Sequence, residues 1–273
     1  MLPIRHAIAA NRDTLYWPAA APKGGVVCLH GSEGGFAGWN DLACALFAAS
    51  GFAALSHNYS LDFCWPASSD IDNVPLETTQ VALALLRKEL APFGCGLGLY
   101  GVSRGAERAL LLGQLLAEDG FVETPDAIAV HAPPDETWPA FVAKDFMTGE
   151  PWAGDRRRPA WSWRGSHERT GPGTLLGTTA LTRYPVFIAQ GTQDNIWNAG
   201  MARRLVERLT HAGRAPEAHF FEGEGHVFTA TGRNREWSLL VDFFERHLSG
   251  RAHCTGETEG QPSEDPNHAL RSD

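Results

Sequence analysis

The chain has no apolar run of about 18 residues, so no segment reads as a membrane-spanning helix. Positive charge is in deficit: 23 lysines and arginines stand against 32 aspartates and glutamates, a formal net charge of −9 at pH 7. That balance argues against a nucleic-acid backbone as the main partner. Cysteine is sparse, with five residues (Cys28, Cys44, Cys64, Cys95, Cys254) and no C-x-x-C spacing. Neither a disulfide framework nor a structural metal is expected. The segment MLPIRHAIAANRDTLYWPAA lacks an apolar stretch after a basic start, so no secretory signal is read and a cytoplasmic location with reduced thiols is expected. H-E-x-x-H spacing and any repeat at a fixed period are also missing, and no metal or cofactor is implied.

What is present suits an ordinary globular protein. Hydrophobic residues make up 43% of the 273 and charged residues 20%. A compact chain of this size buries roughly 70–75% of its unfolded surface, enough for a full core without staples. Apolar, strand-like runs at Gly25–His30, Phe52–His57, Gly96–Tyr100, Asp126–Ala132, Pro185–Gln190 and Glu217–Phe221 alternate with helical patterns at Asn40–Ser50, Leu76–Leu90, Ala106–Leu116, Met201–His211 and Glu236–Leu248. Such alternation predicts an α/β fold, a mostly parallel sheet with helices on both faces.

Residues 133–183 break the rhythm with six prolines, four tryptophans and no long helical pattern, and are expected to form a cap-like insert. The body is expected to span 1–249, with a disordered acidic tail over 250–273.

The chemical signal centres on Gly101-Val102-Ser103-Arg104-Gly105, a G-x-S-x-G between an apolar strand and a helix. A tight strand-to-helix turn there would lift a serine hydroxyl out of the sheet. A serine needs a base, and the base an orienting acid. Asp194 follows the strand PVFIAQ and His226 follows the strand EAHFF, so Ser103, Asp194 and His226 sit in the order this chemistry uses. His57 and His131, also at strand ends, come in the wrong chain order or lack an acid before them and read as structural histidines, with pocket lining as the alternative. Glu222 and Glu224 lie too near His226 along the chain to orient it easily. The loop His30-Gly31-Ser32-Glu33-Gly34-Gly35 would supply an oxyanion amide, Ser32 in first place and Glu33 or Gly34 next, to join that of Arg104. The same loop lacks the Lys-Ser/Thr ending of a nucleotide-binding loop.

Trp138, Trp152, Trp161 and Trp163 in the insert read either as walls of an acyl or polycyclic pocket or as packing that fixes the insert to the sheet. Trp197 is expected to shape the acid loop and the pocket beside it. Arg156, Arg157, Arg158, Arg164 and Arg169 read as a solvated face, with a basic rim for a phosphate-bearing carrier as the alternative.

The segments SDIDNVPLETTQVALALLRKE, GLYGVSRGAERALLLG, GTQDNIWNAGMARRLVERL and FFEGEGHVF resemble the α/β-hydrolase superfamily. Within it the chain is similar to the bile acid-CoA:amino acid N-acyltransferase and acyl-CoA thioesterase C-terminal family, with dienelactone hydrolases as more distant relatives. The resemblance covers roughly residues 24–249. It implies an ester or acyl-thioester hydrolase, possible CoA linkage of the substrate, Ser103 as nucleophile, Asp194 as acid and His226 as base. Acyltransferase members tend to carry cysteine where Ser103 stands, so the resemblance implies water rather than an amine or alcohol as final acceptor.

Overall fold

Successive side chains of a strand point to opposite faces, so a strand that is apolar throughout must be covered on both sides. A computed structural model describes residues 4–8, 13–35, 38–60, 70–142 and 157–250. Its strands are β1 (Ile4–Ile8), β2 (Asp13–Trp17), β3 (Gly25–Leu29), β4 (Ala53–His57), β5 (Val74–Pro75), β6 (Leu97–Val102), β7 (Ala127–His131), β8 (Trp161–Ser162), β9 (Val186–Gly191) and β10 (Glu217–Phe221). Eight of them make one sheet in the order β1-β2-β4-β3-β6-β7-β9-β10. The pairs β1/β2 and β2/β4 are antiparallel, and every other pair in that sheet is parallel.

The helices are α1 (Trp39–Ala49), α2 (Glu77–Leu90), α3 (Arg104–Glu118), α4 (Ala199–His211) and α5 (Ala230–Leu248), with a single helical turn at Thr178–Leu181. Alternate residues of the same strands feed two cores. Val27, Leu29, Leu99 and Ile128 pack with Leu86 of α2, Leu110 of α3 and Leu205 of α4. Val26, Cys28, Ala129 and Phe187 pack on the other face with Phe47 of α1 and Phe243 and Phe244 of α5. This two-sided burial is why the strands read as unbroken apolar runs. Truncating a side chain such as Phe244 to alanine would cost roughly 3–5 kcal/mol.

Two antiparallel strands, β1 and β2, were not expected; their sequences IRHAI and DTLYW mix polar with apolar residues and carry little strand signal. Helix α5 begins at Ala230 rather than Glu236. Thr229 caps it, its hydroxyl accepting the Gly232 N–H at 3.2 Å, while its own N–H donates to Glu224 at 2.6 Å. Gly232 inside that first turn had masked the start.

Among its described residues, the insert holds β8 and the Thr178–Leu181 turn as its regular structure. It is tied to the segment before α2, where β5 pairs with β8 in parallel and Ile71 bridges to Phe141. Trp152, Arg156, Cys64, Cys254 and the tail beyond residue 250 lie outside the described residues. Cys28, Cys44 and Cys95 are free thiols. Among the described residues no helix is long and apolar enough to cross a membrane.

Candidate active site

Ser103 sits where β6 turns into α3, with φ 53° and ψ −115°. A non-glycine residue pays roughly 1–3 kcal/mol for such a conformation, so its surroundings must hold it there. The flanking glycines explain how. A Cβ on Gly101 would lie 2.2 Å from the Gly105 carbonyl oxygen, and one on Gly105 would lie 2.5 Å from the carbonyl oxygens of Leu29 and His30. The turn is packed against itself and against the end of β3, and the Ser103 N–H donates to the His131 carbonyl at 2.9 Å.

The loops that carry Asp194 and His226 meet for a similar steric reason. A Cβ on Gly191 would fall 2.3 Å from the Gly225 carbonyl oxygen, so only glycine lets the loop after β10 cross the end of β9. The Gln193 N–H donates to the Glu224 carbonyl at 2.9 Å and closes the crossing. His226 then lies with Nδ1 2.8 Å from Asp194 Oδ2 and Nε2 3.0 Å from Ser103 Oγ. The structure thus brings together the three residues singled out in the sequence.

The proton positions follow from the partners. A carboxylate only accepts, so His226 Nδ1 carries the hydrogen and Nε2 presents a lone pair to Ser103. Trp197 Nε1 donates to Ser103 Oγ at 3.0 Å, which leaves the serine hydrogen free to point at His226. Asp194 Oδ1 accepts the backbone N–H groups of Ile196 (2.8 Å) and Trp197 (2.9 Å), and Oδ2 accepts from Gln190 Nε2 at 3.0 Å. Burial alone would raise the Asp194 carboxyl. The hydrogen bond and charge of His226, the Ile196 amide and Gln190 outweigh it, and the group is held below the usual carboxylate range.

The loop after β3 passes close to the serine, since a Cβ on Gly31 would lie 3.3 Å from Ser103 Cβ. The Gly31 N–H donates to the Glu33 carboxylate at 2.9 Å, and the Gly34 N–H to the Gly31 carbonyl at 3.3 Å. Among the described residues no protein acceptor takes the Ser32 N–H or the Arg104 N–H at the start of α3. The start of the loop is anchored by His30, whose ring stacks on Tyr59 at 4.0 Å. Burial pushes that ring's pKa down to about 3 against the opposing hydrogen bond of Gly31, so it stays neutral. Beyond the amide expected of Glu33, its side chain also lies at the site, against Gly31 beside Ser103. Burial raises its carboxyl, against the pull of the Gly31 amide, its own amide and His226.

The tryptophans divide. Trp197 is buried beside Ser103, and Trp138 meets it edge to face at 4.7 Å between ring centroids. Trp161 is corrected from pocket wall to core: it is 0% exposed and its indole donates to Glu107 at 2.7 Å. Trp163 is likewise not at the site. Its indole donates to Asp119 at 2.9 Å, past the far end of α3 and about 21 Å from the elbow at 1.5 Å per residue. Three of the insert arginines are engaged with the body, Arg164 with Asp119, Arg169 with Asp119 and Glu118, and Arg158 with Asp72.

Two further histidine–carboxylate pairs lie at strand ends, His57 with Asp13 and His131 with Glu236, each at 2.7 Å. The sequence signals the histidines by position, but their acids, 44 and 105 residues away, leave no local pattern.

A mostly parallel sheet with helices on both faces, and a serine on a strained strand-to-helix turn, defines the α/β-hydrolase fold. No protein-family model matches the chain. Among solved structures it is similar to carboxyl esterase 2 of the fungus Tuber melanosporum, with TM-score 0.61, 17% identity and coverage of 90% of this chain and 86% of the other. It is also similar to the esterase domain of a Rhodothermus marinus protein, with TM-score 0.57, 17% identity and coverage of 92% and 100%. In sequence it is similar to acyl-coenzyme A thioesterase 6 of Mus musculus, 26% identical over 226 residues that make up 79% of this chain and 51% of the relative. The chain therefore spans about half the length of that relative.

Proposed function

We propose that the protein is a serine hydrolase that cleaves an ester or acyl thioester through an acyl-serine intermediate. The observation that carries this reading is the hydrogen-bonded chain from Ser103 Oγ through His226 to Asp194, at 3.0 and 2.8 Å, on a strained turn. His226 Nε2 takes the Ser103 proton as Oγ attacks the substrate carbonyl carbon. The amides of Ser32 and Arg104 receive the oxyanion, each worth roughly 3–4 kcal/mol in the transition state. Collapse expels the alcohol or thiol with the proton from His226. Water then repeats the sequence, releasing the acid and restoring Ser103. Asp194 holds the imidazole in the required tautomer. Trp197 and Trp138 form the aromatic side of the acyl pocket.

The thioesterase likeness makes acyl-CoA thioesters the first substrate class to test. Arg158, Arg164 and Arg169 are engaged in ion pairs with the body, so compact esters and thioesters belong in the same panel. A cytoplasmic location is part of this proposal, in keeping with the free thiols. The test is turnover of p-nitrophenyl esters, lactones and acyl-CoA by wild type and Ser103→Ala. Loss of turnover in the folded variant is expected, with free acid as product even when amines or alcohols are added. Undiminished turnover would remove Ser103 from the mechanism.

A further inference from the structure

Residue 131 touches both halves of the site without reaching the reacting atoms. Its carbonyl oxygen accepts the Ser103 N–H at 2.9 Å. Its ring Nε2 lies 3.0 Å from the His226 carbonyl oxygen, and Nδ1 lies 2.7 Å from Glu236 Oε1. The imidazole and the Glu236 side chain are 4% and 5% exposed, and Phe228 closes over the ring edge to face at 4.5 Å.

Both ring nitrogens face oxygen acceptors, whereas a neutral imidazole has one N–H. Either neutral tautomer beside a carboxylate would set a lone pair against an oxygen in a dry environment, where such a mismatch is costly. The pair therefore holds one proton more than a neutral ring beside a carboxylate, and both contacts become charge-assisted.

We propose that His131, kept as an imidazolium by Glu236, is a positioning residue that fixes the nucleophile turn and the base loop relative to one another. The proposal rests on the reading of Ser103 and His226 given above. His131 does not touch substrate. It acts by holding the backbone on which each of the two reacting side chains stands, where a misplacement of about 1 Å can cost a hundredfold in rate.

The groups around the pair are Glu236 and Arg233 on α5, His226 on the base loop and Tyr100 on β6. Burial pushes the His131 ring down. The charge and hydrogen bond of Glu236 and the His226 carbonyl outweigh it, with Arg233 opposing, and the ring ends above the usual histidine value. Because the folded-state value is raised, the stabilisation is fully present below the unfolded pKa and is lost as pH rises through the folded one. The hold on the base loop thus weakens on the alkaline side.

Glu236→Gln keeps an acceptor for Nδ1 and removes the charge. It is expected to lower kcat about ten- to a hundredfold with KM little changed, and to move the alkaline limb of activity to lower pH. A loss of stability alone would leave that limb in place. In the wild type, nitrogen-15 NMR should find two ring N–H groups on His131 at neutral pH, and lose one along the same limb. A folded Glu236→Gln with unchanged kcat and limb would overturn the proposal. So would a single ring N–H at a pH of full activity, which needs no variant. Labelling of wild-type Ser103 by a fluorophosphonate separates the two claims: its absence sinks the reading of Ser103, whereas labelling at equal rates in wild type and Glu236→Gln sinks the role of His131 alone.

Discussion

His226 and His57 are built from the same parts. His57 ends β4 and His226 lies in the loop after β10, and each holds a carboxylate with Nδ1, Asp13 at 2.7 Å and Asp194 at 2.8 Å. The second nitrogen separates them. In His226 it faces Ser103 Oγ at 3.0 Å with the side chain 13% exposed. In His57, 1% exposed, it has no hydrogen-bond partner among the described residues. A histidine–carboxylate pair is therefore not in itself a reactive device. What sets the His226 pair apart is the serine on a strained turn at its second nitrogen. The Asp13 pair instead ties β2 to β4, its second oxygen accepting the Asn58 N–H at 2.8 Å.

The comparison breaks most sharply at the base. His226→Asn, which cannot take the serine proton, should lower kcat by about a thousandfold to a millionfold with the fold retained by circular dichroism. Asp194→Asn comes next. An amide in place of the carboxylate supports the wrong imidazole tautomer, and kcat should fall by up to about ten thousandfold. The same variant sharpens the pH argument. Asp194 titrates below the ordinary range in the folded protein, so its contribution to stability is present above the unfolded pKa and is lost as pH falls through the folded one. The Tm gap between wild type and Asp194→Asn should therefore narrow on acidification. A smaller effect is expected from Trp197→Phe, which removes one hydrogen bond to Ser103 Oγ worth about 0.5–1.5 kcal/mol, a few-fold to tenfold in kcat. Asp13→Ala should leave kcat unchanged while costing about 1–3 kcal/mol of stability, because it leaves a buried imidazole nitrogen without its partner. Parity of Asp13→Ala and Asp194→Asn in a turnover assay would erase the distinction between the two pairs.

Much of the fold is legible in the sequence. Buried parallel strands such as VVCL in β3 must be apolar on both faces, so their runs stand out from the chain. The elbow is legible because its glycines answer to steric limits: Gly101 and Gly105 have no room for a Cβ. Asp194 and His226 stand out in the sequence by their place just past strand ends, and the structure sets them 2.8 Å apart. What stayed hidden is non-local. β1 and β2 alternate too little to register, β5 and β8 are two residues each, and Glu236 meets His131 across 105 positions. Tryptophans in an irregular segment look alike in sequence, yet Trp138 neighbours Trp197, which hydrogen-bonds Ser103, while Trp163 packs at the other end of α3.

The most direct test is to treat the folded protein with a fluorophosphonate and identify the labelled residue by peptide mass spectrometry. A covalent adduct on Ser103, formed by the wild type and not by His226→Asn, is the predicted result. An unmodified Ser103, or equal modification when His226 is gone, would contradict an imidazole-activated serine.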